Sequence, residues 1–295
     1  CRKRRIFAVF ENFRVPSRVS IAGYRWDCEK PEKVVCIIHG IGEHMGRYER
    51  VAEAFNEEGI AVIGMDHRGH GLSAGTRGHT APRREVLSDI DALITYTENN
   101  FQNIPIIMYG HSMGGNITLD YRVRGNKSHI PAAYIVSAPW IKLYKPFPKL
   151  VVSFAHIMTK IKPEFQVSSK IDENILGNPL NVRGYYKDPL VHSYITAACA
   201  ADGFDIGEAL YENKLTGNFG GRGKPLLLMH GDADMICSVV GSRTVAEYET
   251  NCRYVEWKGY YHEIHNGGPL ANGDEVINTA VEFVKNLQPD CRNEK

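Results

Sequence analysis

Several absences narrow the reading of this 295-residue chain before any motif is considered. Its seven cysteines, Cys1, Cys28, Cys36, Cys199, Cys237, Cys252 and Cys291, are odd in number and contain no C-x-x-C pair, which argues against a disulfide framework and against a zinc ribbon. Cys36 lies inside an apolar run, where a thiol behaves as a small hydrophobe; this usage suits a reducing compartment, and the expected location is cytoplasmic. No stretch approaches the roughly 18 consecutive apolar residues that a spanning helix needs. An excess of one charge is also missing: 35 Lys and Arg stand against 34 Asp and Glu, and because Arg2, Lys3, Arg4 and Arg5 form the basic start, the remainder carries a small negative balance. That pattern excludes a nucleic-acid binder, and the basic start reads as a solvated terminus before it reads as a lipid-binding segment. The chain opens on Cys1 instead of methionine, so the expectation is that a segment once preceded it. Internal repeats, low-complexity tracts and a flexible interdomain linker are lacking as well, and Gly217, Gly220, Gly221 and Gly223 lack the lysine spacing of a phosphate-binding loop.

What is present is globular in character, with 43% hydrophobic and 23% charged residues. Residues 6–13 and 19–26 read as two strands joined by Val15-Pro16-Ser17-Arg18, enough for an antiparallel edge. From Val34 the pattern becomes regular. Continuous apolar runs at 34–38, 60–65, 106–109 and 133–136 have the signature of strands buried on both faces, and 48–58, 85–97 and 116–124 between them carry apolar residues on a helical period. Strands alternating with helices of this length predict an open, mostly parallel sheet with right-handed crossovers.

After Pro139 the alternation stops, and 140–217 contains no convincing buried strand, so it reads as an inserted, mainly helical cap. The alternation resumes at 225–229, 242–249, 253–257 and 274–287, which divides the chain into a first core segment, 1–139, the cap, 140–217, and a second core segment, 218–295. Between Trp140 and Pro163 the cap holds Lys142, Lys145, Lys149, Lys160 and Lys162 with no acidic residue, and Leu150, Phe154, Ile157, Met158 and Ile161 share one helical face. Two readings fit: a surface resting on lipid, as a peripheral membrane contact, or a cap helix packed on its own domain.

The chemistry is concentrated at Gly110-His111-Ser112-Met113-Gly114, the G-x-S-x-G pattern, between the run 106–109 and a helical segment. Such a turn lifts a serine hydroxyl out of the sheet and aims the N-terminal N–H groups of the next helix at any oxyanion formed there. Ser112 is the candidate nucleophile. A serine needs a base oriented by an acid, in the chain order serine, acid, histidine, each at the C-terminal end of a strand. The run 225–229 leads into His230-Gly231-Asp232-Ala233-Asp234, and 253–257 into Lys258-Gly259-Tyr260-Tyr261-His262. Asp234 is favoured over Asp232 because the loop must reach sideways, and His262 over His265 because it sits nearer the strand end. Two oxyanion donors are expected, the N–H of Met113 and that of Ile41 in the loop His39-Gly40-Ile41-Gly42. His67, His70 and His79 lack ligand spacing, so no metal is expected.

Six segments together, His39-Gly40-Ile41-Gly42-Glu43-His44, Arg47-Tyr48, Asp66-His67-Arg68-Gly69-His70-Gly71-Leu72-Ser73, Gly110 to Gly115, Asp188-Pro189-Leu190 and Tyr261-His262-Glu263-Ile264-His265-Asn266, resemble the monoacylglycerol lipase and lysophospholipase branch of the α/β-hydrolases. The resemblance implies an α/β-hydrolase fold, with a mostly parallel central sheet flanked by helices and an inserted cap. It also implies a serine hydrolase of single-chain lipid esters that requires no cofactor. By position it assigns Ser112, Asp234 and His262 to the triad and Ile41 and Met113 to the oxyanion hole. Glu43, Arg47 and His265 match positions near the glycerol head group, and Cys237 matches a cysteine near the active site. A carboxylesterase or a proline-iminopeptidase-like hydrolase of small soluble substrates is the alternative within enzymes, and a non-catalytic ligand-binding protein on the same fold is the alternative outside them.

Overall fold

The computed structural model describes residues 19–288; the expected strand at 6–13, the basic start and Cys1 and Cys291 lie outside them. The elements in chain order are β1 (Gly23–Trp26), β2 (Lys33–Ile38), α1 (Glu49–Glu57), β3 (Ile60–Met65), α2 (Arg83–Asn100), β4 (Ile106–His111), α3 (Met113–Arg124) and β5 (Ala133–Ser137). They continue with α4 (Lys149–Ile161), β6 (Gln166–Ser168), α5 (Pro179–Val182), β7 (Tyr194–Thr196), α6 (Ala197–Tyr211), β8 (Leu226–Gly231), α7 (Val239–Tyr248), β9 (Cys252–Trp257) and α8 (Asp274–Lys285). Seven strands form one sheet in the order β1-β3-β2-β4-β5-β8-β9. Only β1 is antiparallel, paired with β3 at one edge; the other strands run parallel. This is the α/β-hydrolase architecture, with helices on both faces of a mostly parallel sheet.

The period-two alternation of the strands divides the core into two layers. Val34, Cys36 and Ile38 of β2 and Leu226 and Leu228 of β8 face one layer with residues of α2, α3, α6 and α7. Val35 and Ile37 of β2 and Leu227 and Met229 of β8 face the other, with α1 and α8. Because both faces are covered, the central strands read as continuous apolar runs instead of alternating ones, and Val34 to Ile38 are all fully buried.

Within 140–217, α6 packs against α3 and α7 and contributes Ala198, Cys199, Ala200, Ile206 and Leu210 to the core. The segment also contains a short strand pair that the sequence did not announce: β6 and β7 run antiparallel with Val167 opposite Ile195. Three-residue strands separated by 25 intervening residues leave no periodic trace, because their pairing is non-local. Outside them lies α4, which rests on α6 and has no buried residue. Of its apolar side chains, Leu150 is 84% exposed, Phe154 49%, Ile157 55% and Ile161 72%, so the stripe on a helical period points away from the molecule.

Candidate active site

Ser112 joins β4 to α3 with φ 55° and ψ −117°, a backbone conformation that a side-chain-bearing residue rarely adopts. The strain is held by close packing. A Cβ on Gly110 would come within 2.3 Å of the Gly114 carbonyl oxygen, and one on Gly114 within 1.9 Å of the Ile38 carbonyl oxygen, so only glycine fits at either position. The backbone around the serine is pinned from two sides: Ser112 N–H donates to the Ser137 carbonyl at 3.0 Å, and Trp140 N–H donates to the Ser112 carbonyl at 3.0 Å. The first residue of the expected cap is therefore tied directly to the elbow.

Loops after β8 and β9 deliver the partners to the same carboxyl end of the sheet. His262 Nε2 lies 2.8 Å from Ser112 Oγ, and His262 Nδ1 lies 2.7 Å from Asp234 Oδ2, with all three residues buried. Asp234 Oδ1 accepts from the N–H groups of Ile236 and Cys237 at 2.7 and 3.0 Å. Asp232 is exposed and accepts from Gly259 N–H at 2.6 Å, which makes it a loop brace. His265 does not meet Ser112; its ring stacks on Tyr48 at 5.3 Å and meets His111 edge-on at 5.1 Å.

The electrostatics follow from burial set against pairing. Burial penalises the Asp234 carboxylate, but His262 and the hydrogen bonds of His262 and His230 outweigh it and hold Asp234 well below the usual carboxylate range. Burial likewise pulls the His262 imidazole down, yet the adjacent Asp234 charge dominates and leaves it above the ordinary histidine value. Its neighbours behave oppositely: burial, with the nearby His262 and His265, drives His111 well down, and burial takes His265 to about 4. An imidazole bridging a serine and an ionised aspartate is arranged to receive the serine proton.

Gly40 comes close to Ser112, since a Cβ there would sit 3.2 Å from Ser112 Cβ, and this brings the 39–42 loop against the elbow beside Ile41. Met113 is the first residue of α3, where backbone N–H groups have no partner within the helix. The loop is supported from below. His39 Nδ1 donates to the Gly40 carbonyl at 2.7 Å, while His39 Nε2 accepts from His67 N–H at 2.9 Å.

Glu43 and Arg47 are engaged with the protein itself. Glu43 Oε1 accepts from Gly40 N–H at 2.6 Å and from Tyr48 OH at 2.8 Å, and Glu43 Oε2 accepts from Arg47 Nη1 at 2.6 Å. Arg47 also forks onto Glu263 at 2.7 and 2.8 Å, and its guanidinium lies 4.4 Å from the Tyr185 ring centroid. These contacts make Glu43 a brace for the 39–42 loop, a role its position in the sequence does not disclose. Cys237 is buried near Ser112; burial and the Asp234 charge push its thiol well up, so the group is held neutral. Among the described residues no group of three or more His, Cys, Asp or Glu side chains is arranged to hold a metal, and no helix is long and apolar enough to cross a membrane.

Sequence reasoning missed two residues of this neighbourhood. Glu263, adjacent to His262, balances Arg47, and His230 reaches Asp234. Glu263 lies in a loop, where no periodicity marks which side chains turn inward, and His230 closes β8, where burial on both faces leaves no alternation to show which way a polar side chain points.

Residues 29–268 match the hydrolase family described as serine aminopeptidase S33. A monoacylglycerol lipase of Mycolicibacterium smegmatis is 32% identical over 80% of this chain and 83% of its own length. An uncharacterised abhydrolase-domain protein of Dictyostelium discoideum is 34% identical over 90% of this chain, which spans 27% of that relative. Among solved structures, the monoacylglycerol lipase of Paleococcus ferrophilus superposes with a TM-score of 0.77 at 29% identity, covering 90% of this chain and 98% of that one.

Proposed function

Since the chain belongs to the serine aminopeptidase S33 family of α/β-hydrolases and is a hydrolase, we propose that it cleaves carboxylic esters of single-chain lipids, monoacylglycerols or lysophospholipids, through an acyl-enzyme on Ser112. The observation that carries this reading is the unbroken hydrogen-bonded line from Ser112 Oγ through His262 to Asp234. His262 takes the serine proton as Oγ attacks the ester carbonyl, and the N–H groups of Ile41 and Met113 receive the developing oxyanion. Collapse of the tetrahedral intermediate breaks the ester C–O bond, and His262 returns the proton to the departing alcohol. Water then attacks the acyl-enzyme with the same base, releasing the fatty acid and restoring Ser112. Asp234 stays ionised and stabilises the imidazolium at each stage.

An aminopeptidase reading requires an anionic group to receive the substrate's charged amine. Glu43 and Glu263 are the buried acids beside the triad, and both are paired with Arg47 and bonded at both oxygens. Neither offers an unpaired carboxylate, which favours an ester over a peptide. The segment 140–217 serves as the cap over this site, rooted through α6. The outward stripe Leu150, Phe154, Ile157 and Ile161, flanked by exposed Lys145, Lys149, Lys160 and Lys162, matches an anionic bilayer in both apolarity and charge. The polar side of the site, beside Glu43, Arg47, His265 and Cys237, receives the head group in this reading.

The test is fluorophosphonate labelling with the adduct located by peptide mass, followed by turnover of monoacylglycerols from short to long chains. Labelling at Ser112 with preference for long chains supports the proposal. Labelling with turnover of short soluble esters alone keeps the nucleophile and rejects the lipid substrate; absence of labelling rejects both.

A further inference from the structure

A second histidine holds the acid of the triad. His230, fully buried at the C-terminal end of β8, places Nε2 3.0 Å from Asp234 Oδ2, the same oxygen that lies 2.7 Å from His262 Nδ1. The proton on His230 can be assigned from its surroundings. Nε2 faces two acceptors, Asp234 Oδ2 and, at 3.3 Å, the Cys237 carbonyl, so Nε2 carries the hydrogen. Nδ1 is then the acceptor, and Ser242 Oγ on α7, buried and 2.7 Å away, donates to it. Asp234 is thereby bonded by four donors: two imidazole N–H groups on Oδ2 and two backbone N–H groups on Oδ1. Four donors fill the acceptor capacity of a carboxylate and leave it no second orientation.

We infer that His230 is a positioning residue of the catalytic relay, fixing the Asp234 carboxylate through the oxygen it shares with His262 and moderating its pull on that imidazole, with Ser242 setting the His230 tautomer. The inference rests on the reading of Ser112, Asp234 and His262 as the working triad. Its physical content is competition for one oxygen. A hydrogen bond donated by His230 draws charge from Oδ2, so removing it concentrates the attraction on His262 and stabilises the imidazolium. The charged and titratable groups around His262 are Asp234, His111, His265, Glu43 and Glu263; around His230 they are Asp234, Cys237, whose thiol burial holds neutral, and, from β9, Glu256, which pairs with Arg243. His111 and His265 are held far down by burial and Glu263 is held low despite burial by Arg47, while Glu43, raised by its burial, is common to every variant compared.

The experiment is the pH dependence of kcat/KM on a soluble ester for His230→Phe, His230→Gln, Ser242→Ala and Asp234→Asn beside the parent, with the low-field proton resonance of the His262–Asp234 hydrogen bond recorded on each folded protein. For His230→Phe, which keeps bulk and loses the donor, the acid limb is expected to move up by about half a pH unit or more, the resonance to move downfield, and kcat to fall about tenfold with KM little changed. His230→Gln restores an N–H near the Nε2 position and should return the limb and kcat toward the parent. Ser242→Ala, which frees the tautomer, should shift the limb in the same direction by less; if His230→Phe does not fold, the Gln and Ala variants carry the test. An unshifted limb in the folded Phe variant, or in Ser242→Ala when Phe does not fold, overturns the inference, as does equal impairment of the Phe and Gln variants with no movement of the resonance. Retained full activity in Asp234→Asn would instead reject the triad reading itself.

Discussion

The elbow at Ser112 and the helix α4 invert the usual placement of side chains in opposite directions. Around the elbow, polar groups are buried: Ser112, Asp234, His262 and His230 are all in the interior, each with hydrogen-bonding partners. On α4 apolar groups are exposed, with Leu150, Phe154, Ile157 and Ile161 turned to the outside. A buried polar group is costly unless bonded, and an exposed apolar stripe is costly in water unless something covers it. The two departures differ in kind. The polar groups of the elbow find their partners within the fold, whereas the apolar stripe of α4 has no cover among the described residues.

The largest effect that can separate the two regions is loss of the Ser112 hydroxyl, the proposed nucleophile. Ser112→Ala is expected to lower kcat/KM by about 10⁴-fold or more while circular dichroism and the unfolding midpoint stay near the parent values; measurable turnover near the parent level would break the comparison at its first member. Acidification comes next. Burial lowers the pKa of His39, His67, His70, His111 and His265, so below about pH 6.5 the unfolded chain binds protons that the native one refuses. Stability should therefore fall with pH, approaching about 1.4 kcal/mol per pH unit for each histidine titrated only on unfolding. His262 and the buried acids Glu43, Asp66, Asp89 and Asp202, raised in the fold, contribute in the opposite sense, with stability lost as pH rises through their folded values, while His79 and His192, also lowered, add to the histidine trend. Urea midpoints measured from pH 8 to pH 5 give the sign directly, and a flat profile would show that these histidines charge without unfolding.

A smaller loss is expected at Gly114→Ala, whose Cβ would meet the Ile38 carbonyl oxygen at 1.9 Å. Overpacking of this kind costs about 3 kcal/mol, and because the contact is with backbone the elbow must shift, so kcat should fall with stability. The smallest expected change is on α4. The triple variant Leu150→Ser, Phe154→Ser, Ile157→Ser should reduce hydrolysis of monoacylglycerol in anionic vesicles about tenfold. It should leave a soluble short ester unaffected and change stability by no more than about 0.5 kcal/mol for each site. Equal loss on both substrates would mean that α4 acts on the pocket and not on a surface.

Legibility followed the range of the interaction. The Ser112 elbow is visible in the sequence because strand, glycines and helix are contiguous, and the core strands are visible because burial on both faces writes a continuous apolar run. Chain order brought the candidate acid to Asp232 or Asp234 and the candidate base to His262 or His265, and the reach of each loop already favoured Asp234 and His262, the two that the structure places in one hydrogen-bonded line with Ser112. Helical period revealed the apolar face of α4 but left its direction open, because a face packed inward and a face turned outward have the same period.

The sequence by itself determined the sheet, its parallel order of strand and helix, and the conformation that lifts one serine out of it, since each depends on residues close together in the chain. The tertiary structure alone decided that His230 and His262 share one oxygen of Asp234, that Glu43 braces the 39–42 loop while paired with Arg47, and that the apolar stripe of α4 is uncovered. Some of these contacts are only three or four residues apart, as Glu43 is from Gly40 and Arg47, but they form in irregular backbone or at a strand end. Loops carry no periodic pattern, and which of their polar groups meet is set by how the layers pack.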